Sequence, residues 1–127
     1  MKEIIYTKNA PEPVGPYSQA VRSGDTLYLS GQIAIDPGTN AMVTGGVKAQ
    51  TEQVLQNIKN VLEAAGSSLD NVLKTTCYLA DMNDFTEFNA VYESFFSESK
   101  PARSTIQAAA LPKNALVEVD VISKRAV

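Results

Sequence analysis

Between Val47 and Ala65 the apolar residues recur at helical spacing. Val47, Val54, Ile58, Val61, Leu62 and Ala65 fall on one stripe, and Glu52, Gln56, Lys59, Asn60 and Glu63 lie away from it. Elsewhere the period drops to two, most clearly near the end, where Val117, Val119 and Val121 alternate with Leu116, Glu118, Asp120 and Ile122. A chain that switches between these two periods has to lay helices on a sheet. A second helical stripe, Phe85, Phe88, Tyr92, Phe95 and Phe96, predicts a helix from about Asn83 to Ser97. Asp84 falls in its first turn, where the helix dipole favours a negative charge. Gly66 suits the residue after the first helix, and Lys100-Pro101 breaks the second.

The remaining segments read as strands. Glu3–Thr7 is a short one. "SQAVR" and "TLYLSG" flank the turn "SGD" as a hairpin, and "DPGTN" (Asp36–Asn40) is a further turn. "NVLKTTCYLADM" separates the helices; "RSTIQAAA" and "ALVEVDVISK" follow them. The expected order is strand, strand, strand, helix, strand, helix, strand, strand. That is an α+β fold with two helices on one face of a mixed sheet. No repeat, low-complexity tract or internal boundary interrupts the 127 residues, so one domain, 1–127, is expected.

Composition removes several chemistries. The chain has no histidine and a single cysteine, Cys77. A Ser-His-Asp triad and a Cys-His pair are thereby excluded, a zinc site is strongly disfavoured, and no disulfide forms within the chain. Catalysis would rest on carboxylates, Lys, Tyr, Arg, hydroxyls or backbone groups. The net charge is −3 and the lysines and arginines are scattered singly, which disfavours a nucleic-acid groove. The opening "MKEIIYTKNAPEPVGPYSQ" carries neither a signal-peptide nor a transit-peptide pattern, and no apolar run is long enough to span a bilayer. A cytoplasmic protein without membrane contact is the expectation.

The valine row of the last strand suits a position under the helices. The opposite face mixes Glu118 with apolar and small groups. In "RSTIQAAA", Ser104, Ile106 and Ala108 share one face; Arg103, Thr105 and Gln107 share the other. A mixed sheet face with no third helix to cover it suits a subunit interface, where pockets draw residues from two chains.

Arg103 and Glu118 stand out on strands that pack a core. Arginine presents a planar fork that grips a carboxylate through two parallel hydrogen bonds. A glutamate holds and polarises a water or moves a proton. One of each on neighbouring strands would suit a small anionic substrate attacked by water. The plainer alternative is that the two pair with each other or point to solvent. Other candidates have plain alternatives as well. Tyr17, in "PVGPYSQA", is a pocket wall or a rim residue. Gly31, after Ser30, marks a close ligand approach or a bulge. Asn89 reaches a pocket or caps. Cys77 reads as a small buried hydrophobe.

The segments "GPYSQA", "LSGQI", "KTTCYLADMNDFTEFNAVYESFF", "PARST" and "LPKNALVEVD" occur in this order and span nearly the whole chain. The sequence resembles the RidA (YjgF) family, and "PARS" followed by "LPKNALVE" resembles its archetypal deaminase subfamily. The resemblance implies a chorismate-mutase-like α+β fold and a homotrimer with a central β-barrel, helices outside and three sites at the subunit clefts. It also implies hydrolysis of enamine-derived imines, 2-iminopropanoate and 2-iminobutanoate, to 2-oxo acids and ammonia, with no cofactor and no metal. By position, Arg103 would grip the substrate carboxylate and Glu118 would activate the water. Tyr17 would wall the pocket, Gly31 and Thr105 would offer backbone hydrogen bonds, and Ser30, Phe85 and Asn89 would line the cleft. Thr105 stands where many members carry a cysteine, and Val119 where Ile or Met is commoner. Two other readings accompany this one: a trimer that binds 2-oxo acids without turnover, and the ribonuclease or chaperone roles attributed to some relatives.

Overall fold

The period-two segments form a six-stranded sheet, and both helical stripes lie on one side of it. The computed structural model describes residues 2–126; residues 1 and 127, the ends of the expected domain, lie outside them. The strands are β1 (Lys2–Ile5), β2 (Ala20–Ser23), β3 (Thr26–Gln32), β6 (Val72–Leu79), β7 (Ala102–Gln107) and β8 (Val117–Lys124). They lie in the order β1-β2-β3-β8-β6-β7. Every neighbouring pair is antiparallel except β6–β7, which the second helix connects as a crossover. The fold is α+β, as expected.

The first helix, α1, runs Gly46–Ala64. The predicted apolar stripe faces the sheet, and Gln50, Thr51, Leu55 and Asn57 are buried with it. Gly66, at φ +76, ends the helix. The Gly66 N–H donates to the Glu63 carbonyl and the Ser67 N–H to the Leu62 carbonyl, which satisfies two of the helix's terminal acceptors. On the helix side of β8 lie Val117, Val119 and Val121, each at most 1% exposed. Burying each contributes about 1.5–3 kcal/mol, so a charge at Val119 would unfold this layer.

Several expected bounds move, and one expected turn closes a further sheet. The first strand stops at Ile5, not Thr7, because the Thr7 N–H is taken by the Gln19 side chain. The turn Asp36–Asn40 closes a second small sheet, β4 (Ile35–Asp36) with β5 (Ala41–Met42), tightened by Gly38 N–H donating to Asp36 Oδ1. The second helix, α2, runs Phe85–Phe96 and is preceded by a 3-10 turn, Met82–Asp84. Asp81 Oδ1 accepts from the Asn83 N–H and caps that 3-10 turn, and Asp84 stands at the N-cap of α2 without a side-chain bond.

The opposite sheet face carries Tyr28 (47% exposed), Ile106 (50% exposed) and, half-buried, Glu118, Asp120 and Ile122. No helix among the described residues is long and apolar enough to cross a membrane.

Candidate active site

β7 forms an edge of the sheet, and Arg103 sits on it directly opposite Thr75 of β6. Its side chain lies on the helix side. Arg103 NH1 donates to Asn89 Oδ1 at 2.8 Å. The guanidinium carbon lies 4.6 Å from the Tyr92 ring centroid and 5.6 Å from that of Phe85. Asn89, Tyr92 and Phe85 sit on one face of α2 because their spacing of three and four residues matches the helical turn. Arg103 lines a groove of about 650 Å³ with Asn89, Tyr92, Lys100 and Pro101. Among the described residues, the guanidinium's Nε and NH2 have no hydrogen-bond partner. One edge of the fork is thus available to a carboxylate.

The other half of the predicted set lies across the sheet. Glu118 of β8 pairs with Tyr78 of β6, one residue out of phase with the buried pairs Cys77–Val119 and Leu79–Val117. Glu118 therefore projects from the face that the helices leave uncovered. Partial burial pushes its carboxyl above the usual carboxylate range, and the nearby Asp120 adds to the effect. Asp120 in turn accepts from the Tyr78 hydroxyl at 3.2 Å. β3 bulges against β8 at Ser30-Gly31. A Cβ built on Gly31 would stand 2.3 Å from Glu118 Oε2, so glycine is what lets this backbone approach the carboxylate.

Tyr17 arrives from the loop between β1 and β2. It lines a cavity of about 310 Å³ with Gly31, Gln32, Ile33, Pro112 and Lys113. The loop is pinned from below by Gln19, which is 1% exposed. Gln19 Oε1 accepts from the Thr7 N–H, and Nε2 donates to the carbonyls of Thr7, Ala10 and Pro11. The Ser30 hydroxyl donates to the Ser18 carbonyl at 2.6 Å, and the Ser30 N–H donates to that of Gln19. Ser30 thus holds the Tyr17 loop and lines neither the Arg103 groove nor the Tyr17 cavity.

Thr105 shares the Arg103 side of β7 and pairs with Cys77. Its hydroxyl is buried and has no hydrogen-bond partner among the described residues. The Ala108 N–H bonds to Leu79 on β6, so strand alternation turns the Thr105 N–H to the open edge. Its backbone, rather than its hydroxyl, faces outward. Cys77 is fully buried, and burial pushes its thiol up to about 11, which suits the packing role expected of it.

The sequence reading expected Arg103 and Glu118 on neighbouring strands. The structure corrects this: β6 lies between β7 and β8, and the two side chains leave opposite faces. The chain brings Arg103, Asn89 and Phe85 together on one side. On the other it brings Glu118 to Gly31, and Gly31 and Tyr17 line one cavity. Sequence spacing alone makes Tyr92 a core position and Gln19 a strand position. Their only sequence signal was position: Tyr92 three residues after Asn89, Gln19 two after Tyr17.

Residues 7–124 match the family model described as endoribonuclease L-PSP. A RutC family protein of Pyrococcus horikoshii is 55% identical over 97% of this chain and 98% of its own length. The 2-iminobutanoate/2-iminopropanoate deaminase of Mus musculus is 46% identical over 97% of this chain and 91% of its own. Among solved structures, Escherichia coli TdcF with bound serine is 38% identical, covers 98% of this chain and 99% of its own, and superposes with a TM-score of 0.92.

Proposed function

The chain belongs to the endoribonuclease L-PSP (RidA/YjgF) family, and from that membership we propose that it is an imine deaminase. Its substrates are 2-imino acids such as 2-iminopropanoate and 2-iminobutanoate, and its products are the 2-oxo acids and ammonia. The observation that carries this reading is the Arg103 fork, held by Asn89 with one edge open to a groove.

Arg103 holds the substrate carboxylate and so fixes the imine carbon beside it. That carbon is already electrophilic, so no covalent nucleophile is required. Glu118 accepts a proton from the attacking water as the new C–O bond forms. It returns that proton to nitrogen to give the carbinolamine, then relays the carbinolamine hydroxyl proton to nitrogen as the C=O forms, the C–N bond breaks and ammonia leaves. A carboxyl raised above its ordinary range is better matched to both halves of this exchange near neutral pH. Gly31 and the outward-facing Thr105 N–H offer backbone hydrogen bonds, Phe85 and Asn89 border the arginine, and Tyr17 closes the far wall. The relative from mouse is named for this activity, and the TdcF neighbour binds serine, a small molecule with an α-carboxylate.

Arg103 and Glu118 leave opposite faces of one sheet, so one chain holds half of each site. A second copy completes it. We assign this role to a homotrimer in which the uncovered sheet face of one chain meets the Arg103 edge of the next. The net charge of −3 and the scattered cations favour this chemistry over RNA cleavage.

The test is a coupled assay in which a threonine dehydratase generates the enamine in situ and 2-oxobutanoate release is followed. Acceleration by the wild type, lost in Arg103→Ala and Glu118→Gln, supports the proposal. Absence of acceleration while 2-oxobutanoate still binds through Arg103 would replace it with the binding-trimer reading.

A further inference from the structure

Three contacts close a triangle beneath Arg103. Thr75 is the β6 residue in register with Arg103. Its Oγ1 is 2.8 Å from the Tyr92 hydroxyl, and the Tyr92 ring lies 4.6 Å from the Arg103 guanidinium carbon. Thr75 is fully buried and Tyr92 is 7% exposed. The Tyr92 ring is also braced within an aromatic row, 5.6 Å from Phe88 and 4.7 Å from Phe96, centroid to centroid. The ring therefore has little freedom to follow the arginine; the arginine has to conform to the ring.

We infer that Tyr92 is a positioning residue. Its π-face and the Thr75 tether fix the plane of Arg103, while Asn89 fixes its rotation by occupying NH1, so that the Nε–NH2 edge meets the substrate carboxylate side-on. This rests on the proposed role of Arg103. Physically, a guanidinium draws part of its stabilisation from a ring quadrupole when it stacks on one. A fork already held in place loses less entropy when it closes on a ligand. The aromatic stripe of α2 thus contributes to the site as well as to the core.

The experiment measures 2-oxobutanoate binding and, in the coupled assay, KM and kcat for wild type, Tyr92→Phe, Tyr92→Leu and Phe88→Leu. Phe88 is fully buried in the same row and does not line the groove, so Phe88→Leu controls for loss of core packing. The expected result is carboxylate affinity about tenfold weaker in Tyr92→Leu, with KM raised and kcat little changed, and a clearly smaller loss in Phe88→Leu, which keeps the Tyr92 ring and removes one of its braces. Tyr92→Phe keeps the ring and retains most of the binding. If Tyr92→Leu does not fold, fluorinated phenylalanines at position 92 replace it, since they withdraw ring electrons with little change of size. Affinity that falls stepwise with fluorination supports the inference. Equal affinity across that series, or equal losses in Tyr92→Leu and Phe88→Leu, overturns it. If wild type binds no 2-oxobutanoate and Arg103→Ala changes nothing, the deaminase reading itself falls, and this inference with it.

Discussion

Arg103 and Glu118 leave opposite faces of the same sheet, with β6 between their strands. Arg103 shares the helix side with Thr75, and Glu118 shares the uncovered side with Tyr78. No side-chain rotation brings them together within one chain. On the proposed mechanism the two are halves of a site that two copies share.

The fork of Arg103 matters beyond its charge. Arg103→Lys keeps the cation but loses the two-pronged geometry and the stacking on Tyr92. Steady-state kinetics should show KM for the imine raised roughly 10- to 100-fold, with the melting temperature nearly unchanged because the residue is exposed.

Gly31→Ala should separate activity from folding. The new methyl would meet Glu118 Oε2 at 2.3 Å and push the carboxylate aside. The displaced group is the end of a side chain, so the fold survives. A displaced base should lower kcat by about 10²-fold, with circular dichroism and melting temperature close to wild type.

Glu118 makes stability depend on pH with a definite sign. Its carboxyl is raised in the folded state, so the folded chain binds this proton more tightly than the unfolded chain does. The stability it contributes is fully present below the ordinary carboxylate value and is lost as pH rises through the higher folded value. Melting temperature followed across this window should fall with pH for wild type, and the fall should shrink in Glu118→Gln. The acidic limb of kcat/KM should lie above the ordinary carboxylate range and move down in Asp120→Asn, because Asp120 is the second cause of the shift.

Gln19→Leu should loosen the wall that carries Tyr17. The change removes the acceptor for the Thr7 N–H and the donor to the carbonyls of Thr7, Ala10 and Pro11. A loss of about 2–4 kcal/mol is expected from the unpaired groups, measurable by urea unfolding. Hydrogen exchange should quicken between residues 7 and 17 before it does in the sheet.

Periodicity made much of this legible. The α1 stripe, the α2 stripe and the valine row of β8 each announce a buried face, and Gly66 announces a helix end. Strand order was not legible, because period two assigns a residue to a face without naming the neighbouring strand. That is why Arg103 and Glu118 read as neighbours although β6 separates them. The buried polar residues were missed for a different reason. Gln19, Asn57 and Thr75 look like ordinary surface types until their partners are known, and those partners lie 12, 22 and 17 residues away in sequence. Tyr92 was legible as core, but its ring beneath Arg103 depends on the β6–α2–β7 crossover that local sequence does not encode.

The most direct test of the shared site is subunit mixing. Arg103→Ala and Glu118→Gln are each purified inactive, unfolded together in equal amounts and refolded. In a closed trimer, every mixed assembly contains one cleft whose arginine and glutamate are both intact. Random mixing should then restore about a quarter of wild-type activity per chain. Activity no greater than the sum of the two separate variants, in refolded trimers shown to be mixed, would contradict a site built from the opposite faces of two chains.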